Sequence, residues 1–107
     1  SVESAFMGAT SFDVTLARWD VSSVTRMDHM FEGAVLFDGD LSGWRTSSVE
    51  SMKSMFRGAA VFNQRISYWD VSSVTRMDNM FRDAVSFNTD ISEWDVLSVW
   101  DMEGMFR

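Results

Sequence analysis

The sequence predicts an α/β repeat solenoid of about four 25-residue coils, each a short parallel strand followed by a short helical segment, in a single domain spanning residues 1–107. Three observations carry that prediction: an unbroken aromatic spacing, paired methionine columns on the same spacing, and a change of apolar period inside each repeat. Trp19, Trp44, Trp69 and Trp94 lie 25 residues apart. So do Phe6, Phe31, Phe56, Phe81 and Phe106, and a second series of Phe12, Phe37, Phe62 and Phe87. Met27, Met52, Met77 and Met102 form one methionine column, Met30, Met55, Met80 and Met105 another, and Ala9, Ala34, Ala59 and Ala84 a column of small residues. One coil of this size cannot bury its own apolar side, so columns in strict period mean coils stacked on one another. The tryptophans, the paired methionines and both phenylalanine series are therefore assigned to the core.

The third copy shows the elements in order. Ile66, Trp69 and Val71 follow an L-x-x-L-x-L spacing, with Trp69 and Val71 on one face of an extended segment, which predicts a short strand. From Val74 the apolar residues Met77, Met80, Phe81, Ala84 and Phe87 recur at helical spacing and predict about three turns of helix, with Ser72 or Ser73 as its N-cap. The polar residues that follow each closing phenylalanine, Asp13, Asp38, Asn63 and Asn88, suit a turn. Residues 19–28 (WDVSSVTRMD) recur unchanged at 69–78, while the copy between them reads WRTSSVESMK, so a two-repeat unit of 50 residues is legible in the chain. The chain opens and stops within a repeat, which predicts a fragment of a longer array with open ends.

The L-x-x-L-x-L spacing followed by SSVTRMDNMFRDAVSF resembles the leucine-rich repeats of BspA-like surface proteins. FNQRISYWDVSSVTRMDNMFRDA, from Phe62 to Ala84, is similar almost throughout to their Trp/Met-rich 25-residue variant, found in Mycoplasma lipoproteins. The resemblance covers essentially the whole chain. It implies a solenoid of leucine-rich-repeat type and a place outside the cell or on its surface, and it brings no catalytic residues to carry over.

Composition narrows the chemistry. With 46% hydrophobic and 14% aromatic residues the chain can bury a core. The absence of cysteine removes disulfides, thiol nucleophiles and zinc–thiolate sites. A net charge of −7 repels phosphate backbones, so no nucleic-acid partner is expected. No apolar run approaches the ~20 residues of a membrane span, and the first ten residues lack the pattern of a signal peptide.

Each constellation has a functional and a bland reading. The tryptophan column suits sugar stacking, but its inward slot in the strand pattern favours core packing. The methionines fill the core against the phenylalanines. Asp38 and Asp40 invite calcium, yet Asn63, Asn88 and Arg65 interrupt any column of carboxylates, so a ladder bonding backbone groups of adjacent coils is preferred. His29 aligns with Ser4, Ser54, Asn79 and Gly104, and neither catalysis nor a metal is expected of it. Asp20, Arg45, Asp70 and Asp95 should point outward, with Arg45 paired to its acidic neighbours. Arg57, Arg82 and Arg107 read as a solvated row paired with nearby acids.

The candidate interface residues are Arg18, Tyr68 and Glu93, which vary within one outward column, Asp70 and Asp95 beside them, and Leu97 and Trp100, which replace the Ser and Thr or Glu of earlier copies. No nucleophile–base set, glycine-rich phosphate loop or metal-spaced histidines are present, so no enzyme, cofactor or metal is expected. The expected function is a non-catalytic protein-interaction or structural module, for surface adhesion or as a scaffold. Its partner would be a protein, or further repeats at the open ends. The alternatives are an accessory subunit docked in a larger assembly, organellar or membrane-associated, and a carbohydrate-binding solenoid meeting a surface glycan.

Overall fold

The computed structural model describes residues 19–106. Successive repeats lie one above another in register, joined by isolated parallel bridges that link Arg26 to Ser51, Ser51 to Arg76 and Arg76 to Asp101. Around each bridge a backbone ladder forms. The N–H groups of Met27, His29, Phe31 and Gly33 donate to the carbonyls of Ser51, Lys53, Met55 and Arg57 at 2.8–3.0 Å, and those of Met52, Ser54, Phe56 and Gly58 donate to Arg76, Asp78, Met80 and Arg82 at 2.7–3.0 Å. The remaining N–H groups bend the chain. In the coil from Leu41 to Phe62 six bonds from residue i to i−3 close turns, ending at Trp44, Val49, Met55, Arg57, Ala59 and Phe62.

The α/β solenoid of leucine-rich-repeat type is therefore not what forms. The described residues contain no helix, and their only β structure is the bridges. The expected strand holds two turns, Ile66–Trp69 and Val71–Val74, while the expected helix carries the ladder. Helix is barred there because the backbone changes hand along it. Asn79 and Asp83 have φ of 58° and 60°, as do their counterparts His29, Ser54, Gly33 and Gly58 at 54–73°, which places a left-handed residue third in each of the turns 77–80 and 81–84, as in type II turns. Ser72 accordingly caps no helix; its N–H and hydroxyl both donate to Asp70.

A chain of turns mimics the spacing of a helix. The residues that open and close each turn lie three apart and converge on the interior: Met77 with Met80, Phe81 with Ala84, Ala84 with Phe87. Spacing decides the outcome energetically. Hydrogen-bonded chains sit ~4.8 Å apart and packed helices ~8–10 Å apart, so only the turn-and-ladder coil lets every side-chain column stack. Ring centroids within the columns are 5.5 Å apart for Phe31–Phe56, 5.7 Å for Phe56–Phe81 and 6.2 Å for Trp44–Trp69, with planes within 6°. Phe37, Phe62 and Phe87 form a parallel stack, touching the first phenylalanine column at 3.9–4.2 Å.

Met27, Met30, Met52, Met55, Met77, Met80, Phe31, Phe37, Phe56, Phe62 and Phe81 are buried, and so are Trp44, Trp69 and Trp94. Four assigned core residues differ: Trp19 is 45% exposed, Met102 42% and Phe106 63%, and Phe87 is only partly buried, each being an end member of its column among the described residues with a stacking neighbour on one side. Phe6 and Phe12 lie outside the described residues. The buried indoles are satisfied, Trp69 donating to the Leu41 carbonyl at 2.9 Å and Trp94 to that of Ile66 at 3.0 Å. Among the described residues no buried side-chain polar atom lacks a partner.

Candidate recognition surface

The outward positions are set by short polar turns. Asp20, Asp40 and Asp70 each accept the N–H and the hydroxyl of the serine two residues on, and Asp90 accepts the N–H of Ser92 at 2.9 Å. These bonds, the serine hydroxyl first and the serine N–H second, hold all four carboxyls below the ordinary aspartate range. Asp95 keeps only the backbone half of the motif, bonding the Leu97 N–H at 3.1 Å, because leucine has no hydroxyl. The backbone at these corners is thereby fixed while the intervening side chains are free to differ.

On that frame Tyr68 is 88% exposed, Leu97 93% and Trp100 71%; Asp70, Glu93 and Asp95 are also exposed. Arg18, Asp13 and Arg107 lie outside the described residues. Tyr68 stands between two shallow clefts. One of 380 Å³ is lined by Asn63, Arg65, Ser67, Thr89 and Asp90, the other of 230 Å³ by Trp44, Arg45, Thr46, Ser47 and Asp70. Leu97 and Trp100 do not join this group. Trp100 instead lies under the Arg76 guanidinium, 5.5 Å from the ring centre, in cation–π geometry.

No ion pair joins Arg45 to Asp20, Asp70 or Asp95, although its charge helps hold the Asp20 carboxyl low, and Arg57 and Arg82 likewise form no ion pair among the described residues. The expected polar ladder does form at Asp38 and Asn63. Asp38 Oδ1 accepts the Asn63 N–H at 3.0 Å, and Asn63 Oδ1 accepts those of Asn88 at 2.7 Å and the Thr89 hydroxyl at 3.1 Å. With Asp38 on Asn63 and Asp40 on Ser42, one oxygen of each carboxylate is held by the chain. No group of three or more metal-ligating side chains comes together among the described residues.

Two features escaped the sequence reading. Asp28 and Asp78 are buried, each beneath the arginine two residues earlier. Asp28 also accepts the hydroxyl of Ser51 at 2.5 Å and the N–H of Lys53 at 3.2 Å, both from the next coil, while Arg76 reaches Asp78 at 3.0 Å and Asp101 at 3.7 Å. The signal was present in the alternation of Arg-Met-Asp, at 26–28 and 76–78, with Ser-Met-Lys at 51–53. The second feature is the left-handed column: His29, Ser54, Asn79 and Gly104 are interchangeable because they share a positive φ, which asparagine and histidine tolerate and glycine prefers. His29 is held to Glu32 at 2.6 Å and meets no second histidine.

A family model described as Mycoplasma protein of unknown function, DUF285, matches residues 1–107. The chain belongs to that family. No curated protein and no solved structure matches it significantly. Among the described residues no helix is long and apolar enough to cross a membrane.

Proposed function

We propose that this DUF285 chain is a non-catalytic interaction module of the cell surface, which works by holding variable outward side chains on a stack of repeated coils. One observation supports the reading most directly: at the column Gly43, Tyr68 and Glu93 the turn repeats with the same i to i−3 bond, closed at Trp44, Trp69 and Trp94, while the side chain changes from none to aromatic to acidic. A frame that repeats under side chains that vary recognises by shape and distributed polar contact rather than by reaction. The likeness of Phe62–Ala84 to the repeats of BspA-like surface proteins supports a place at the surface.

The test is carboxylate-directed cross-linking on cells, read by mass spectrometry. Cross-links from Asp70, Asp90, Glu93 and Asp95 to other surface components are expected, and Asp70→Asn with Glu93→Gln should remove those at 70 and 93 and weaken those at Asp90 and Asp95, while leaving the melting temperature within a degree or two, as for surface changes of about ±0.5 kcal/mol or less. Cross-links confined to the chain itself would refute the interaction reading.

A further inference from the structure

We infer that Tyr68 and the two clefts it separates form a binding site for a neutral oligosaccharide, with the phenol ring stacking against a pyranose and a further sugar unit entering each cleft. The inference rests on the reading of the chain as an interaction module and supplies its ligand class. Tyr68 sits in the Ile66–Trp69 turn, next to a tryptophan that is buried, so the turn directs its ring away from the core. The ring has no ring contact, hydrogen bond or ion pair with any described residue. Trp100, the other strongly exposed ring outside the end coil's core columns, has one face engaged by the Arg76 guanidinium. At the place of Tyr68 the preceding coil has Gly43, whose missing side chain leaves one flank of the ring open. An uncovered aromatic face is apolar and carries a negative quadrupole, which suits the polarised C–H face of a pyranose.

The polar groups in the clefts fit the rest of such a ligand. Each cleft sets one guanidinium with one carboxylate, Arg65 with Asp90 and Arg45 with Asp70. Neither pair is joined in an ion pair. Asp70 and Asp90 use one carboxylate oxygen each on a serine, so the second oxygen accepts freely while the arginines donate. Sugar hydroxyls both donate and accept; Ser47 adds a hydroxyl of the same kind, and Thr89, whose hydroxyl donates within the chain to Asn63 and Gln64, adds an acceptor. The formal charge of each cleft is zero on a chain of net charge −7, so an acidic polysaccharide is repelled and a neutral one is not. Placing the clefts on both sides of one ring favours a chain of sugars over a single residue, because each cleft contributes its own contacts along the ligand.

The test uses the full chain, isotope-labelled, in amide-resolved NMR titrations with cellotriose, maltotriose, triacetylchitotriose and, as an acidic control, trigalacturonate. Saturable shifts at Arg45, Ser47, Arg65, Tyr68 and Thr89 with one of the neutral sugars are expected. Tyr68→Ala should weaken that binding about tenfold or more, equivalent to ~1.4 kcal/mol, and Tyr68→Phe, which keeps the ring, should retain it. An unperturbed amide spectrum checks that each variant is folded. Absence of shifts with every neutral sugar, binding of the trigalacturonate alone, or equal binding by Tyr68→Ala would each overturn the proposal. Cross-links to proteins that depend on Tyr68, with no sugar binding, would overturn it too while leaving the interaction reading intact; loss of both sinks both.

Discussion

Residues 51–56 and 101–106 occupy the same stretch of coils two repeats apart, yet their side chains meet different fates. Met52 and Phe56 are sealed from solvent, whereas Met102 is 42% exposed and Phe106 63%. Phe106 still stacks on Phe81 at 5.6 Å, so the geometry of the coil is unchanged. What differs is the neighbour: Met52, Ser54 and Phe56 donate to carbonyls of the following coil, while Met102, Gly104 and Phe106 have no described coil to receive them. A coil's burial and half of its backbone bonding therefore belong to the contact between coils and not to the coil.

The largest effect should separate the two regions most clearly. Phe56→Ala or Trp69→Ala should cost about 3–5 kcal/mol in urea unfolding, as for large-to-small changes in a packed core, against less than about 1 kcal/mol for Phe106→Ala. Equal losses at Phe56 and Phe106 would show that stability does not come from stacking. Next comes the buried carboxylate. Asp28→Ala removes the acceptor of the Ser51 hydroxyl and the Lys53 N–H together, with an expected loss of about 2–3 kcal/mol. Asp101→Ala, at a partly buried carboxylate, should cost well under half as much, since Arg76 keeps Asp78.

Smaller effects test the backbone. At Asn79, where φ is 58°, alanine should destabilise by about 1 kcal/mol because its Cβ meets the left-handed conformation. Glycine there should be neutral within about 0.5 kcal/mol, the relief of strain offsetting a more flexible unfolded chain. If alanine and glycine behave alike, the left-handed column is not what restricts the residue type. The smallest change concerns acid. Asp20, Asp40, Asp70 and Asp90 have carboxyls held below their unfolded value by the serine bonds, so their stabilisation is complete above the unfolded pKa of ~3.9 and lost as pH falls through the folded one. Ser72→Ala should therefore flatten the acid limb of the stability profile slightly and leave stability at neutral pH almost unchanged, the groups being exposed.

Much of the candidate surface was legible in advance. Tyr68, Glu93 and Asp70 stood out because they vary, or lie beside variation, between apolar columns that do not change. The clefts around Tyr68 were not legible, since Gly43, Arg45, Thr89 and Asp90 are brought beside it from coils on either side. Arg45 was expected to pair across coils; it forms no ion pair and acts on Asp20 only at longer range, helping to hold that carboxyl low. The Arg76 pairing with buried Asp78 went unread because its two members lie two residues apart in a segment expected to be helical, where positions i and i+2 do not face each other.

The sequence by itself determined the period, the register and the identity of the stacking columns, because identical side chains at 25-residue intervals pack best on themselves and any shift would break every column at once. It also determined that neighbouring coils share a polar ladder at Asp38 and Asn63. Secondary structure was decided only by the tertiary arrangement. Apolar residues three and four apart fit a helix or a run of turns equally well in one isolated repeat, and nothing local separates them. Stacking does: the coils must approach to the distance of a hydrogen-bonded ladder for the phenylalanines and tryptophans to touch, a helix is too wide for that spacing, and the chain adopts left-handed residues at His29, Ser54 and Asn79 so that its N–H groups point at the next coil.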